Sequence, residues 1–348
     1  MMGTLQGKSG SLLIVTLWLV VILSVLAVAI ARHLSLEVRI TKYRMARERA
    51  RVLARSGVYV AMTRLGQEQS PSESYDWLKS DWAQPPNSDP TDPTKWVLEA
   101  AANGPAGATS GNRIEVRMID EERKLNLNGM PGAGNALFTA VSTLLSHSDE
   151  LAARIVDYID PDETPAVFGA AKGLEEDNSK IPPYHAKNST LAAPEELLEI
   201  PGIATMTSTI RTTLFQSTSV YTTADAKLNI NTVSPSVLVA LGFRPEVAEA
   251  MRLCRERDLI FKESSDLLST AEGCLGPAGL SLSPEERSQL LSVFGVNSHL
   301  FTVQSDGIAL LSPGQTASPS VRLRVEVVVE CSTDPKKTPP KILAWREG

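Results

Sequence analysis

The chain has 348 residues, 34 of them basic and 40 acidic, which gives a formal net charge of −6. Residues 1–55 hold nine basic and two acidic residues, so residues 56–348 carry a net charge of −13. An acidic body of this size argues against a nucleic-acid partner. The three cysteines include no Cys-x-x-Cys pair, which argues against a cysteine zinc site.

An uncharged stretch occupies residues 11–31, SLLIVTLWLVVILSVLAVAIA. As a helix rising about 1.5 Å per residue, it is long enough to cross a hydrocarbon core of about 30 Å. It follows a ten-residue leader whose one basic residue is Lys8 and whose last residue is Gly10. No proline or glycine occurs after the stretch before Gly57. The sequence therefore predicts one long helix, with a transmembrane first half and a soluble second half over residues 32–66.

This N-terminus resembles that of type IV pilin-like prepilins, in which a dedicated prepilin peptidase cuts after the glycine. The resemblance implies a leader over residues 1–10 and cleavage between Gly10 and Ser11. The fifth residue after the cut is usually glutamate in pilins that form the filament body, and here it is Val15. Two alternatives stay open: a plain signal anchor, and a signal peptide cleaved at an A-x-A-like site. The alanines that could supply such a site are Ala27, Ala29 and Ala31.

Basic residues cluster after the apolar stretch rather than before it. The positive-inside rule would then keep the following domain in the cytoplasm. Prepilins have their own export route, so the resemblance implies instead a single-pass inner-membrane protein with its C-terminal domain in the periplasm. The cluster consists of Arg32, Arg39, Lys42, Arg44, Arg47, Arg49, Arg51 and Arg55.

The rest of the chain alternates between strand-like and helix-like stretches. Residues 71–112 are rich in Pro, Ser, Gly and Asn and predict a loop, pinned to the domain by Trp77, Trp82 and Trp96. Alternating apolar and polar residues predict two strands in RIEVRMIDEERKLNLN, joined near Asp120–Glu122. Three further strands are predicted after Gly295, in SHLFTVQSDGIALL, SVRLRVEVVVE and KILAWRE.

These patterns predict an α+β fold of the pilin type. A small antiparallel sheet would be built from residues 67–129 and 297–348, with a large helical domain over residues 130–296 inserted between its halves. Such an insertion is tolerable because the cost of closing a loop grows only logarithmically with its length.

The predicted helical domain contains a weak internal repeat. Residues 123–145 resemble residues 226–241, each with Lys-Leu-Asn-Leu/Ile-Asn before a helix. Residues 191–204 show a further similarity to this pattern. The second copy resembles a helix-hairpin-helix element, known from DNA-binding proteins. Its hairpin, Leu241-Gly-Phe-Arg-Pro245, lacks a Gly-x-Gly pattern, and Pro245 has no N–H for a phosphate. We interpret it as packing architecture. The alternative is a membrane-anchored DNA-binding protein of the competence receptor type.

The cysteines leave two states open. An exported protein permits disulfides. Cys254 and Cys274 could then form a bridge that leaves Cys331 unpaired, and three buried thiols are the alternative.

The central residues 153–203 carry the most specific resemblance, to the minor pseudopilin K family of type II secretion (general secretion pathway protein K). The family motif reads like D-W-I-D-x-D-x-x-P…G-A-E…P-P-Y…N…L-x-x-x-x-E-L…V-P-G. The family also lacks the glutamate that Val15 replaces. The matching positions are Asp157, Tyr158, Ile159, Asp160, Asp162, Pro165, Gly169, Ala170, Pro182, Pro183, Tyr184, Asn188, Leu191, Glu196, Leu197, Pro201 and Gly202.

In that family the motif loop binds calcium, so the resemblance implies a calcium site here. Calcium takes six to eight oxygen ligands, and this loop is rich in carboxylates. The family glutamate of Gly-Ala-Glu is Ala171 here, so Glu175 or Glu176 would have to replace it. A merely solvated acidic loop is the alternative. The candidate ligands are Asp160, Asp162, Glu175, Glu176, Asp177 and Asn188.

No pattern indicates an enzyme. The four histidines are far apart, and no H-E-x-x-H, G-x-S-x-G, P-loop or dinucleotide fingerprint occurs. The resemblance implies a structural tip subunit of a periplasmic pseudopilus, which supports protein export across the outer membrane. Its partners would be other minor pseudopilins, the prepilin peptidase and the inner membrane, with no nucleic acid. The expected contact stripe is Leu34, Val38, Met45, Val52, Val58 and Met62. Packing on the protein's own sheet is the alternative, expected for the C-terminal half of the stripe, while the membrane half contacts neighbours.

Overall fold

The computed structural model describes residues 9–68, 75–84, 88–89, 92–101, 109–129, 133–221, 227–312, 319–332 and 339–348. The α-helices in these residues are α1 Ser9–Glu68, α2 Ala133–Leu144, α3 Asp149–Ile159, α4 Ser208–Ser217, α5 Pro235–Ala240, α6 Pro245–Glu256, α7 Leu267–Leu275 and α8 Pro284–Val293. The strands are β1 Ser88–Asp89, β2 Asp92–Ala101, β3 Thr109–Asp120, β4 Leu125–Asn126, β5 Val167–Phe168, β6 Ala171–Lys172, β7 Glu176–Asp177, β8 Tyr184–His185, β9 Thr218–Ser219, β10 Leu228–Asn229, β11 Phe294–Gly295, β12 Leu300–Leu310, β13 Ser320–Glu330 and β14 Lys341–Glu347. Short 3₁₀ helices occupy Pro194–Glu199, Ser264–Asp266 and Gly276–Ala278.

The 60-residue helix α1 confirms the long N-terminal helix that the sequence predicts. Its most apolar part has a mean hydropathy of 3.0 and is not buried by the rest of the protein, so its length and composition suit a membrane span. From Ala46 onward, one face of α1 is buried against the sheet. The residues on this face are mostly small, which lets the helix lie close to the strands: Ala46, Ala50, Ala54, Val58 and Ala61.

The sheet that α1 covers has six strands in the order β1-β2-β3-β12-β13-β14, and every neighbouring pair is antiparallel. The two sequence halves meet where β3 pairs with β12, so the predicted sheet with its helical insertion is confirmed. Val116, Val303 and Val325 project from the three central strands and are fully buried in the core beneath α1. Alternate residues of the same strands form the open face on the other side.

The helix α1 passes very close to the sheet at Gly307 in β12. A Cβ atom added to this glycine would lie 1.9 Å from the carbonyl oxygen of Ala50 and 2.6 Å from the backbone nitrogen of Ala54. Both are backbone atoms of α1, and neither can move without shifting the helix. Glycine is therefore required at this crossing.

We expect Gly307→Ala to destabilise the head by about 3 kcal/mol, the upper end of the usual cost of overpacking, because the new methyl group meets backbone. The measurement is chemical denaturation of the full chain in detergent, followed by tryptophan fluorescence. Gly273→Ala in α7 is the matched control, since a Cβ atom there meets nothing within 4 Å. Equal stability of Gly307→Ala and the unmodified protein would contradict this packing.

The helices α2 to α8 form a second hydrophobic core, separate from the core between α1 and the sheet. Its centre includes Leu137 of α2, Ile155 of α3 and Leu238 of α5, all nearly or fully buried. The helical region is connected to the sheet by the ends of β3 and β12. It therefore lies at the end of the sheet that is farther from the apolar half of α1.

Two copies of one unit make up this helical region, in line with the repeated Lys-Leu-Asn-Leu/Ile-Asn sequence. In the first copy β4 pairs in parallel with β9, and in the second β10 pairs in parallel with β11. Each copy therefore begins with a short strand, passes through helices and returns beside its own start.

A matching asparagine closes each copy. The Asn128 side chain accepts a hydrogen bond from the Leu191 N–H (2.9 Å) and donates one to the Leu191 carbonyl oxygen (2.8 Å). Asn231 makes the same pair with Phe261, at 2.9 and 2.8 Å. The sequences after the two partners also align, as LAAPEELL from Leu191 and FKESSDLL from Phe261.

The second copy is cross-linked by a disulfide between Cys254 of α6 and Cys274 of α7. Cys331 is a buried free thiol at the end of β13. Of the two cysteine states that the sequence leaves open, the structure shows the one with a single bridge.

Three consecutive buried acids connect the sheet to the helical region. Asp120 accepts hydrogen bonds from the hydroxyls of Thr232 and Ser298, the latter at 2.7 Å. Glu121 accepts hydrogen bonds from the hydroxyls of Ser219 and Thr302, both at 2.7 Å. Glu122 accepts a bond from the His299 N–H at 2.9 Å, but its second carboxylate oxygen is buried without a partner. The junction is therefore polar, buried and incompletely satisfied.

The structure corrects two details of the sequence prediction. Residues 71–112, predicted as a loop, contain β1, β2 and the start of β3, and Trp96 is a buried strand residue. The dense Pro, Gly and Ser residues on both sides obscure the short alternating run of β2. The second strand predicted near Leu125 has only two residues and pairs with β9 rather than joining the main sheet.

Candidate metal centre

The last turn of α3 supplies two carboxylates. The helix buries Ala152, Ile155 and Val156 in the core of the helical region, and the same buried side includes Asp157, which has no exposed surface. Asp160 is the C-cap: its N–H bonds to the Val156 carbonyl and its backbone is extended. The two acidic side chains, three positions apart, lie on one side of the helix end.

The chain then folds back over this helix end. Residues 167–172 and 176–185 form two short hairpins, and the stretch between them runs past Asp157. A Cβ atom on Gly173 would lie 1.9 Å from Oδ2 of Asp157, so only glycine allows this approach. The Ala166 N–H donates to Oδ1 of Asp157 at 2.7 Å, which fixes the carboxylate against the loop.

Asp157, Asp160 and Glu175 form a cluster in which one oxygen of each carboxylate lies within 4.8 Å of the others. Each of the three has a buried oxygen without a hydrogen-bond partner: Oδ2 of Asp157, Oδ1 of Asp160 and Oε1 of Glu175. Oδ1 of Asn188 and the Tyr184 hydroxyl are buried without a partner in the same loop. Buried polar atoms are normally paired, and a bound ligand would satisfy this group of unpaired oxygens.

The pKa values of the three carboxyl groups also favour a bound cation. Burial raises the pKa of Asp160 to about 7, with further contributions from the negative charges of Asp157, Asp162 and Glu175. Burial also raises the pKa of Asp157 and of Glu175, although a side-chain hydrogen bond from Asn188 opposes the shift at Glu175. A bound cation would relieve this repulsion.

The donor set fits calcium. Carboxylate and amide oxygens suit hard cations such as Ca²⁺, which takes six to eight oxygens in a flexible geometry, whereas zinc prefers nitrogen and sulfur ligands. The residues that could hold the ion are Asp157, Asp160, Glu175 and Asn188, with the remaining positions open to water or carbonyl oxygens.

The other candidate ligands from the sequence lie outside the cluster. Asp162 is exposed and accepts a hydrogen bond from the Thr164 N–H, although its charge still affects the cluster. Glu176 is exposed beside His185, and Asp177 is bonded to Ser179. Sequence reasoning did not propose Asp157 as a ligand. Its i, i+3 spacing from Asp160 at a helix end was the available signal.

The helix-hairpin-helix element is a packing device in this structure. Its backbone N–H groups are used internally: Gly242 donates to Val239, Phe243 donates to Leu238, and Arg244 donates to the carboxylate of Glu286. The Arg244 guanidinium also binds Glu286, at 3.0 Å. The N–H groups of Gly242, Phe243 and Arg244 and the Arg244 guanidinium are therefore already engaged within the chain.

On α1 the predicted contact stripe divides into two parts. Val58 is fully buried and Met62 half-buried against the protein's own sheet. The residues closer to the apolar half are exposed, and Tyr59 continues their line at heptad spacing. The exposed apolar stripe consists of Leu34, Val38, Met45, Val52 and Tyr59.

Comparison with known proteins agrees with this architecture. Residues 113–211 match the family model described as type II secretion system (T2SS), protein K. A putative type II secretion system protein K of Escherichia coli (strain K12) is 25% identical over 186 residues. The match covers 49% of this chain and 50% of the relative, so it spans about half of that protein's length.

A solved structure shares the fold across nearly the whole chain. It is a chain of the GspK-GspI-GspJ complex from the type 2 secretion system of enterotoxigenic Escherichia coli. The TM-score is 0.60 at 16% identity, with 88% of this chain and 99% of that chain covered.

These findings define the class first: an α+β protein of the pilin type, with a long N-terminal helix on an antiparallel sheet and a helical insertion. Within that fold, residues 113–211 match the protein K family model. The resemblance to type II secretion protein K, which the Asp157–Gly202 motif indicates, is confirmed over residues 113–211.

Proposed function

We propose that the protein is a minor pseudopilin that forms the tip of a type II secretion pseudopilus and supports protein export across the outer membrane. Its role is structural, with no catalytic step. The observation that carries the proposal is the protein K domain of residues 113–211, set in a pilin-type fold with an apolar N-terminal helix. The anchor would hold the chain in the inner membrane, with the head in the periplasm.

The position of the helical region supports a terminal place in a filament. In a pilin-like filament the α1 helices pack together, and the space above each head is filled by the next subunit. Here the helical region extends the head at the end away from the membrane half of α1. A further subunit above it would meet this region instead of a neighbour's sheet. Val15 also lacks the carboxylate with which a filament-body pilin can bind an adjacent terminal amine.

The exposed apolar stripe of α1 supports a helical partner. Its residues are 52–62% exposed and face away from the protein's own sheet. Heptad spacing of apolar residues suits packing against another helix. The solved structure with this fold comes from a complex with GspI and GspJ. We infer that this chain uses the stripe to bind other minor pseudopilins.

We expect the full chain, co-expressed with minor pseudopilins of the same organism, to co-purify with one or two of them in about equal amounts. Val52→Glu should reduce this yield at least about tenfold, because it places a charge in the centre of an apolar seam. Leu291→Glu, which changes an exposed leucine on α8, is the matched control and should leave the yield unchanged. Filaments formed by this chain alone would refute the tip assignment.

The first residue of the mature protein tests whether the chain is processed as a prepilin. We expect the membrane-bound form to begin at Ser11, as a prepilin peptidase would leave it. Residues 1–8 of the leader lie outside the described residues, and α1 already includes Gly10 and Ser11. Intact-mass spectrometry decides the question. A first residue at Met1, or one beyond Ala31, would exclude maturation by that peptidase.

We also propose that the carboxylate cluster binds calcium. The support is the set of buried, unpartnered oxygens on Asp157, Asp160, Glu175 and Asn188; one oxygen of each of the three carboxylates lies within 4.8 Å of the others. The ion would join the end of α3 to the loop that folds over it. Calcium would then stabilise the first copy of the repeated unit.

A further inference from the structure

The open face of the sheet carries an arginine cluster at one end. Glu115 in β3 and Asp306 in β12 stand opposite each other in register and are nearly buried. Arg322 in β13 reaches both, at 3.2 Å from Glu115 and 3.4 Å from Asp306. Arg324 bonds Asp306 at 2.8 Å, and Arg113 bonds Glu115 at 2.9 Å. We call Arg113, Arg322 and Arg324 the arginine cluster.

Positive charge exceeds negative charge among the charged side chains that meet there. Four cations surround the two carboxylates, because Lys95 also lies 3.4 Å from Glu115. Glu99 of β2 is paired in register with Arg113 of β3. Because β2 lies on the side of β3 away from Arg322, the excess of positive charge is centred on β13. Elsewhere on this face the cations have their own acids: Arg117 pairs with Asp92, and Arg346 pairs with Glu326 and Glu195.

The arginine cluster is fixed in place yet exposed. The side chains of Arg113, Arg322 and Arg324 are 48%, 50% and 53% exposed, whereas the two carboxylates beneath them are almost inaccessible. A guanidinium has five N–H donors, and the bonds to Glu115 and Asp306 use only one or two of them. Pre-fixed arginines lose little side-chain entropy on binding, and arginine is enriched at protein interfaces.

The height of the arginine cluster argues for a protein ligand rather than a lipid. Gly307, beside this end of the sheet, contacts Ala50, which is 19 residues beyond the last apolar residue, Ala31. At about 1.5 Å per residue, this places the cluster about 28 Å along α1 from the hydrocarbon boundary. Headgroup layers are only about 5–8 Å thick, and charges are screened over about 8 Å at physiological salt.

Glu99, Glu115 and Asp306 are acids of the strands at this end of the sheet, and the connecting stretches add none. The connecting stretches 102–108 (ANGPAGA) and 313–318 (PGQTAS) contain no Asp or Glu in their sequences. At a similar level, α1 adds three exposed cations that form no ion pair within the described residues. These residues are Arg44, Arg47 and Arg49. The lower rim of the head is therefore cationic, although residues 56–348 as a whole are strongly acidic.

We propose that the arginine cluster is a docking surface for a carboxylate-rich segment of a protein partner that lies between the head and the membrane. Charge complementarity selects the partner: the arginine forks match carboxylates bidentately. The acidic body of the chain repels extended polyanions, so a short acidic segment of a folded protein fits better than a nucleic acid.

The test uses the full chain in a non-ionic detergent and a fluorescein-labelled 12-residue peptide of alternating Glu and Ser, with a Gln–Ser peptide as the neutral probe. We expect anisotropy to show binding of the Glu peptide only, weakening as salt rises from 50 to 300 mM. Arg113→Gln combined with Arg322→Gln and Arg324→Gln should weaken binding at least about tenfold. Arg252→Gln combined with Arg287→Gln, which removes two arginines from the helical region, should change it less than about twofold.

Because the triple change leaves two buried acids without arginine partners, its melting temperature is measured as well. Arg113→Gln alone leaves Glu115 with Lys95 and Arg322 and should weaken binding about threefold in a fully folded protein. Unchanged affinity in this single variant and in the triple variant would overturn the proposal. Displacement of the peptide by 10 mM inorganic phosphate, beyond the effect of chloride at equal ionic strength, would also overturn it, by reassigning the surface to a phosphate group.

Discussion

Calcium should raise the melting temperature of the full chain in detergent by about 5 °C or more, and Asp160→Asn should remove this gain. A ligand that binds only the folded state stabilises it by about 2.7 kcal/mol at a hundredfold excess over Kd. In a domain of this size, one kcal/mol corresponds to about 2–4 °C. Thermal unfolding followed by tryptophan fluorescence, with 2 mM calcium or with EDTA, gives the two values.

The melting temperature of Asp160→Asn in EDTA distinguishes a lost calcium site from a general loss of stability. Without a cation, Asp157, Asp160 and Glu175 repel one another at close range. Asp160→Asn removes one of these charges, so in EDTA it should melt at the same temperature as the unmodified protein or higher. Glu176→Gln is the matched control, because Glu176 is exposed outside the cluster, and it should keep the full gain. A calcium response that survives in Asp160→Asn would place the site elsewhere.

Glu122→Gln should stabilise the protein above pH 8 by on the order of 2 kcal/mol and leave its stability near pH 5 unchanged. Burial raises the pKa of Glu122 in the folded protein to about 8, and the negative charge of Asp120 adds to this effect. In the unfolded chain a glutamate titrates near pH 4.3. Each unit of difference is worth about 1.4 kcal/mol, and coupling to Asp120 makes the full difference an upper bound.

The direction follows from proton counting. Between about pH 4.5 and pH 8 the folded protein holds a proton on Glu122 that the unfolded chain has released. Stability therefore falls as pH rises through this range, and the whole contribution is lost above the folded pKa. Glutamine mimics the neutral acid and does not titrate, so the curve for Glu122→Gln should fall less steeply.

Urea denaturation at pH 5, 6.5 and 8.5 measures this difference. The exposed residue Glu246 provides the control, since Glu246→Gln should run parallel to the unmodified protein at every pH. Parallel curves for Glu122→Gln would mean that the junction accommodates the charged carboxylate at no cost.

The parts of the fold that were predictable are those with a strong local period. The apolar run that opens α1, and the alternation in β12 and β13, specify their elements without help from distant residues. β2 was missed because its flanks are dense in turn-forming residues, and its strand conformation depends on pairing with β3. Local sequence contains little of that long-range information.

The candidate site was predictable in composition but not in geometry. The sequence predicted an acidic loop after α3 and included Asp160, Glu175 and Asn188 among its candidates. It could not separate Glu175 from Glu176, because adjacent residues of an irregular loop point in directions that only the fold decides. Asp157 was missed as a ligand because a helix residue on the core side normally predicts packing.

The paired asparagines of the helical region allow the loops that they close to differ in length and in sequence. Asn128 is joined to a residue 63 positions further along the chain, whereas Asn231 is joined to one only 30 positions further, with the same two hydrogen bonds. Doubling a loop costs only about 0.6 kcal/mol in closure entropy. A long connection such as the acidic loop can therefore change in length or in its ligand residues while the asparagine still makes the same two hydrogen bonds. Evolution could revise the contents of one copy without redesigning the helices that hold it.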